Sequence, residues 1–361
     1  MIALKELKQY ADLHVKTHSF QAINPRQVLQ SIERAASEEP TAGGWDWQWV
    51  DATNKCLQAN AIEDAIQCYN FARFPFPKTS LQQEAAARLT KVFEQAYCRE
   101  DVQKHRVYYD NQKVTVYAAN LHPDLPCLLV LGGIVSIKEQ WSVFLQVGKR
   151  LGFSVLITEC PGVGENQVRY NADSYRMIGQ ILDTFAGQAK VGDTYIVGMS
   201  FGGHLAMKQA LHDERIKGIT TVGAPLHYFF QDYSQLNVPF ITQATLAHVM
   251  EEELDHVGRA LSRFAFMPKE LNKLKIPITY IFSSKDEIIP KSEKSFLLDN
   301  IANLTFYEFD DVHGSPNHLP LIQKIIPLSI LKHSNSKRYF VRIMLAFLLT
   351  YNKWKGRDGK R

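Results

Sequence analysis

One stretch constrains the chain more than any other. Thr194-Tyr195-Ile196-Val197 is a short apolar run, followed at once by Gly198-Met199-Ser200-Phe201-Gly202-Gly203 and then by a helical pattern to Leu211. Passing straight from strand to helix demands a sharp turn, and glycines two places either side of Ser200 give the backbone room to make it. Ser200 is thereby lifted to the crest of the turn, with the N–H groups of a starting helix beside it. At ordinary glycine and serine usage, about 0.1 chance matches to this spacing are expected in a chain of this length. Ser200 is therefore read as a nucleophile rather than an ordinary turn serine.

The surrounding residues supply the fold such a turn requires. Val107–Tyr109 and Val114–Tyr117 flank Asp110–Lys113 as a hairpin. Short apolar runs then follow at Cys127–Leu131, Phe153–Thr158, Thr194–Val197, Ile216–Val222, Ile278–Phe282 and Leu304–Phe309, with helical stretches such as Ile137–Leu151 and Tyr175–Phe185 between most of them. An antiparallel opening followed by strand–helix alternation predicts an α/β fold with a mostly parallel sheet covered on both faces.

Three other regions depart from that alternation. Residues 1–105 are helical in texture, with one helix over Ala61–Ala72, a stop at Phe74-Pro75-Phe76-Pro77, and another helix over Leu81–Tyr97. Trp45, Trp47 and Trp49 precede these helices and are expected to anchor them to the rest of the protein. Within residues 226–275 the alternation lapses, and Leu246, Met250, Leu254, Val257, Leu261 and Phe264 recur at helical spacing. They predict one long amphipathic helix in a cap insertion. The expected domains are thus 1–105, a core over 106–331 carrying the cap, and a basic extension over 332–361.

If Ser200 is a nucleophile, an acid and a base should follow it in the chain, each just beyond a strand. Asp286 lies after the run Ile278–Phe282, with Glu287 as its rival, and His313 lies after Leu304–Phe309, with His318 as its rival. His313 would take the Ser200 proton while Asp286 orients the ring. The oxyanion formed on attack needs two backbone donors. The Phe201 N–H and the turn Leu131-Gly132-Gly133-Ile134 are placed to supply them, with Gly133 assigned and Ile134 as the near alternative. The turn Cys160-Pro161-Gly162-Val163-Gly164 lacks the third glycine of a dinucleotide-binding loop and is read as a plain turn.

Charge and cysteine content narrow the partners. Nine basic side chains between Lys332 and Arg361 stand against Asp358 alone, which exceeds the net charge of +4, so the remainder is net acidic. No general nucleic-acid surface follows. The five cysteines form no Cys-x-x-Cys pair, which speaks against a zinc site or a disulfide framework; neither metal nor cofactor is expected. The opening MIALKELKQYADLH lacks the apolar stretch of a secretory leader, and no apolar run reaches about 20 residues, so a cytoplasmic soluble protein is expected. Tyr339–Leu349 is expected as a helix docked on the body or at a homodimer contact, rather than on a membrane.

Together, Leu128–Trp141 (LLVLGGIVSIKEQW), the Cys160–Gly164 turn, the turn at Ser200, Asp286, His313 and the helical front end at Ala65–Pro77 carry a resemblance. They are similar to α/β-hydrolases of the esterase group related to the fermentation–respiration switch protein. That group includes a dihydroxypseudooxynicotine hydrolase and polyketide chain-shortening hydrolases of pigment and anthraquinone pathways. The resemblance, over residues 45–320, implies the α/β-hydrolase fold and a site between the helical front end and the core. It also implies cleavage of a carbon–carbon bond next to a ketone in a β-diketone or polyketide-like small molecule of secondary metabolism. A carboxylesterase or thioesterase with the same three residues is the alternative, and a catalytically silent binding protein is the third reading. Ile134, Tyr228 and Phe229 are expected to line the substrate site. The extension beyond Lys332 has no counterpart in that group.

Overall fold

The computed structural model describes residues 2–16, 18–99 and 101–358, with side chains as far as Thr350. Its contacts divide the chain into two compact units, Met1–Gln103 with Pro239–Leu254, and Lys104–Val238 with Asp255–Arg361.

The first unit is helical: α1 (Leu4–Val15), α2 (Pro25–Ser31), α3 (Trp45–Gln58), α4 (Ile62–Arg73) and α5 (Ser80–Tyr97). Trp45 and Trp49 are fully buried within it. Trp45 donates its indole N–H to the Phe71 carbonyl at 2.7 Å, and Trp49 stacks on the Phe71 ring. The tryptophans thus tie α3 to α4 inside this unit, and Trp47 is only half-buried. Gln82 secures the proline turn between α4 and α5. Its amide donates to the carbonyls of Ala72 and Phe74, and its oxygen accepts from Thr79 N–H as part of a capping box.

The second unit is built on an eight-stranded sheet. In chain order its strands are β1 (Val102–Tyr109), β2 (Gln112–Ala119), β3 (Pro126–Leu131), β4 (Ser154–Thr158), β5 (Lys190–Met199), β6 (Ile216–Val222), β7 (Ile278–Ser283) and β8 (Leu304–Phe309). The spatial order is β1-β2-β4-β3-β5-β6-β7-β8. β2 runs antiparallel to β4, and from β4 onward every neighbouring pair is parallel. The hairpin turn is tighter than the sequence suggests. Asp110 and Asn111 both take positive φ, which a two-residue turn between right-twisted strands requires.

Nearly every residue of β3, β4, β6 and β7 is buried, so helices cover both faces of the sheet. The connections carry α6 (Val143–Leu151) and α7 (Met177–Thr184), each preceded by a short 3-10 turn, and α8 (Phe201–Ala210). From β3 the chain steps outward to β4, then returns to the other side of β3 as β5. The loops leaving β3 and β5 therefore diverge, and an open parallel sheet forms its crevice at such a point.

The region after β6 corrects one expectation. The helix foreseen over Leu246–Phe264 is interrupted, and the region holds α9 (Tyr228–Gln231), α10 (Phe240–Met250), α11 (Leu254–Leu261) and α12 (Pro268–Leu271). α10 stops because Glu251 adopts the left-handed conformation, at the head of the acidic run Glu251-Glu252-Glu253. α10 belongs to the first unit, where the Ile241 N–H donates to Glu6 and His248 stacks on Phe76. α11 and α12 belong to the second unit.

After β7 come α13 (Ser292–Asn300), β8, α14 (Leu319–His333) and α15 (Tyr339–Asp358). α14 runs through the expected boundary at 331/332. α15 packs along α14, burying Leu349 and leaving Tyr339, Phe340 and Ile343 exposed. The basic side chains of Lys353, Lys355, Arg357, Lys360 and Arg361 lie outside the described ones. Among the described residues no helix is long and apolar enough to cross a membrane.

Candidate active site

β5 ends at Met199 and α8 begins at Phe201, so Ser200 alone makes the turn. It does so at φ +52° and ψ −125°, a conformation that L-residues avoid unless their surroundings impose it. Those surroundings explain the glycines. A Cβ on Gly198 would meet the backbone of Gly202 and Gly203 at 2.6–2.7 Å, and one on Gly202 would collide with the carbonyl oxygens of Leu131 and Gly132. The tightness of the turn is what raises the Ser200 hydroxyl.

The residues foreseen after β7 and β8 meet that hydroxyl. His313 Nε2 lies 2.9 Å from Ser200 Oγ, and its Nδ1 lies 2.9 and 3.0 Å from the two oxygens of Asp286. A carboxylate only accepts, so Nδ1 carries the proton and Nε2 remains the acceptor for the serine hydroxyl. Asp286 is itself fixed: its side chain is 1% exposed, and Oδ1 accepts the N–H groups of Ile288 and Ile289 at 2.9 and 2.8 Å. Burial would push His313 towards its neutral form. The charge and hydrogen bond of Asp286, with Glu287 nearby, outweigh burial and raise its pKa above the ordinary histidine value.

The two rivals stand elsewhere. Glu287 is exposed and accepts the His313 backbone N–H. His318 pairs through Nδ1 with Asp311 at 2.8 Å and stacks on Phe309. A third histidine, His204, sits on α8 one turn beyond Ser200 but is fully buried. Burial pushes its pKa down to about 3, partly opposed by its bond to the Phe264 carbonyl.

The turn after β3 lies directly against the serine. A Cβ on Gly133 would stand 3.1 Å from Ser200 Cβ, so a side chain there would crowd the serine. The Gly133 N–H, however, is donated to Ser136 Oγ at 2.9 Å. The N–H groups of Ile134 and Phe201 have no hydrogen-bond acceptor among the described residues. Of the two expected donors in this turn, the Gly133 N–H is thus taken and the Ile134 N–H is left open among the described residues.

The aromatic residues after β6 are occupied by packing. Phe229 is fully buried, with ring edges against Phe201, Phe230 and Tyr233. Tyr228 is half-buried against His227 and Phe296. Among the described residues no three His, Cys, Asp or Glu side chains cluster closely enough to hold a metal.

Lys138, almost wholly buried, places Nζ 2.9 Å from Glu139, 3.4 Å from Glu159 and 2.8 Å from Glu165. Burial alone would lower the lysine pKa, and the three carboxylates raise it instead. Glu159 is pushed up to about 7 by burial, against the pull of Lys138. Lys138, Glu139, Glu159 and Glu165 would ordinarily be assigned to the surface, and no periodicity in the sequence marks them as a cluster.

A serine–histidine–aspartate relay at the crevice of a mostly parallel sheet invites comparison with known proteins. Residues 126–246, from β3 into α10, match the model of the alpha/beta hydrolase fold family. A solved structure titled AbyA5 Wildtype is 34% identical, with a TM-score of 0.90, over 96% of this chain and 99% of its own. The chain is an α/β-hydrolase. A second AbyA5 structure is 33% identical, with a TM-score of 0.83, over 90% of the hydrolase and 98% of its own length. The 2,6-dihydroxy-pseudo-oxynicotine hydrolase shares the fold at 18% identity and a TM-score of 0.70, over 86% of this chain and 94% of its own. No curated protein matches the hydrolase by sequence.

Proposed function

We propose that the enzyme is a serine hydrolase whose nucleophile is Ser200, with His313 as base and Asp286 as the group that orients it. The observation that carries this reading is the unbroken relay from Ser200 Oγ through His313 to a buried Asp286. His313 accepts the serine proton as Oγ attacks a carbonyl carbon, and Asp286 stabilises the imidazolium that forms. The oxyanion points to the N–H groups of Phe201 and Ile134, at the start of α8 and in the turn after β3. The imidazolium then returns its proton to the leaving group. Water, activated by the same ring, releases the acyl group from Ser200.

Which bond breaks depends on the leaving group. An alkoxide or thiolate needs only the proton that His313 holds, so an ester or thioester makes the smallest demand on this site. A carbon leaving group must depart as an enolate, which a β-diketone or polyketide-like substrate supplies from its own conjugation. Carbon–carbon cleavage next to a ketone, the expectation from the sequence resemblance, requires such a substrate. Incubating the protein with p-nitrophenyl esters and with aryl β-diketones distinguishes the two. Rapid ester turnover with no diketone cleavage overturns the carbon–carbon reading. A fluorophosphonate probe should label the wild type and not Ser200→Ala; labelling of Ser200→Ala would show that the nucleophile lies elsewhere.

A further inference from the structure

The turn after β3 carries one of the two proposed oxyanion donors, yet it is a loop of six residues between a strand and a 3-10 turn. Such a loop holds an N–H to within a fraction of an ångström only if something fixes it. Two contacts come from the turn after the neighbouring strand, β4. The Cys160 thiol donates to the Gly132 carbonyl at 3.0 Å, at the start of the loop. Glu159 accepts the Lys138 backbone N–H at 3.2 Å, at its end. Two more are internal, Gly133 N–H to Ser136 Oγ and Ile137 N–H to Gln140 Oε1. The loop is therefore held at 132, 133, 137 and 138, and the Ile134 N–H lies between the anchors.

Glu159 is suited to this work because it is held from several sides. Its other oxygen accepts the Glu165 N–H at 3.0 Å, and the Lys138 ammonium reaches it from within the same buried cluster. Gly164 has no side chain because a Cβ there would strike the Glu159 carboxylate. Lys138 is fixed in turn by Glu139 and Glu165, with the Tyr117 hydroxyl donating to Glu139 at 3.0 Å and the Lys104 ammonium 2.9 Å from Glu165. Burying so many charges is costly, and apolar side chains would hold a core together at lower cost. What an apolar core cannot do is grip backbone N–H groups at a chosen distance.

We propose that Glu159, Lys138 and Cys160 are positioning residues that hold the Ile134 N–H where the oxyanion develops on Ser200 attack. The inference rests on the reading of Ser200 as nucleophile. It assigns a function to the Pro-Gly-x-Gly turn, which holds the neighbouring loop as well as reversing its own chain.

The test compares Glu159→Leu, the double variant Lys138→Met/Glu159→Leu and Cys160→Ala with the wild type, since leucine has no oxygen to accept the Lys138 N–H. The double variant removes the pair together and leaves no lone ammonium, and Cys160→Ala cuts the other tether without touching a charge. Each is measured for kcat and KM on a p-nitrophenyl ester, for the rate of inactivation by a fluorophosphonate, and for melting temperature. Loss of oxyanion alignment should lower kcat and the inactivation rate together, by about ten- to a hundredfold in the Glu159 variants and less in Cys160→Ala, with KM within about twofold. A purely structural role would lower the melting temperature and leave kcat per folded molecule unchanged. Wild-type kcat in the folded double variant and in Cys160→Ala overturns the proposal. Should the Glu159 variants fail to fold, an unchanged kcat in Cys160→Ala overturns it alone. Fluorophosphonate labelling that persists in Ser200→Ala would instead remove the reading beneath it, and the two failures are thus distinct.

Discussion

His318 pairs with Asp311 at 2.8 Å through the same ring nitrogen that His313 uses to pair with Asp286. Two aspartate-paired histidines thus stand five residues apart after β8, and only one of them reaches Ser200. His313→Ala should reduce kcat by about three to four orders of magnitude with the fold intact. His318→Ala should keep kcat within about tenfold and lower the melting temperature, because Asp311 loses one of the partners that order the loop. Loss of activity in the second variant but not the first would reassign the base.

The pH profile should carry the signature of the Asp286–His313 pair. The base must be neutral to accept a proton, and its pKa is raised above about 6.5. Activity should therefore rise with pH along an acid limb whose midpoint lies above that value. The stability linkage has the opposite direction. A raised folded-state pKa contributes stability in full below about pH 6.5, and that contribution is lost as pH rises through the folded value. In Asp286→Asn only the charge of Glu287 is left to oppose burial, so a histidine titration followed by NMR should move to lower pH. An unmoved midpoint would mean that Asp286 does not control the ring.

Gly133→Ala should separate crowding of the nucleophile from damage to the fold. The new methyl would stand 3.1 Å from Ser200 Cβ, close enough to shift the serine or the loop by a few tenths of an ångström. We expect kcat/KM to fall by about tenfold or more, with a melting temperature near that of the wild type. Gly192→Ala, where a Cβ meets nothing within 4 Å, is the control and should change neither. Equal activity in both variants would show that the loop has slack.

Much of this architecture was legible before any coordinates. The buried strands declare themselves as short apolar runs because both faces of a covered parallel sheet must be apolar. The Ser200 turn declares itself because its steric demands fall on glycines at fixed offsets. The helix break at Glu251 was hidden, because Met250 and Leu254 keep the helical spacing on either side of a single left-handed residue. The hub around Lys138 was hidden for another reason. Its partner Glu159 lies 21 residues away, and an ion pair across a fold leaves no local periodicity to read. Gly133 and Ile134 could not be separated from sequence, since which N–H is taken depends on where the Ser136 hydroxyl turns.

Deleting the chain after Ser336 tests what α15 does. The helix packs along α14, whose inner face buries Ile322, Ile325, Ile326, Leu328, Ile330 and Leu331. Removal should expose apolar surface and lower the melting temperature by several degrees, with increased aggregation in light scattering. Unchanged melting together with loss of binding to anionic liposomes would instead make the exposed row at Tyr339, Phe340 and Ile343 a lipid contact.

Ser200 and His313 are 113 residues apart in the chain yet share one hydrogen bond. No fragment ending before β8 can contain both, however well its own helices and strands form. During synthesis Ser200 emerges long before His313, so in the proposed mechanism the early chain carries a hydroxyl with no base. In that mechanism turnover begins only when the last strand joins the edge of the sheet. The rate at which activity appears on refolding should accordingly track the docking of β8, and a loosened β7–β8 edge should silence the enzyme while most of its secondary structure persists.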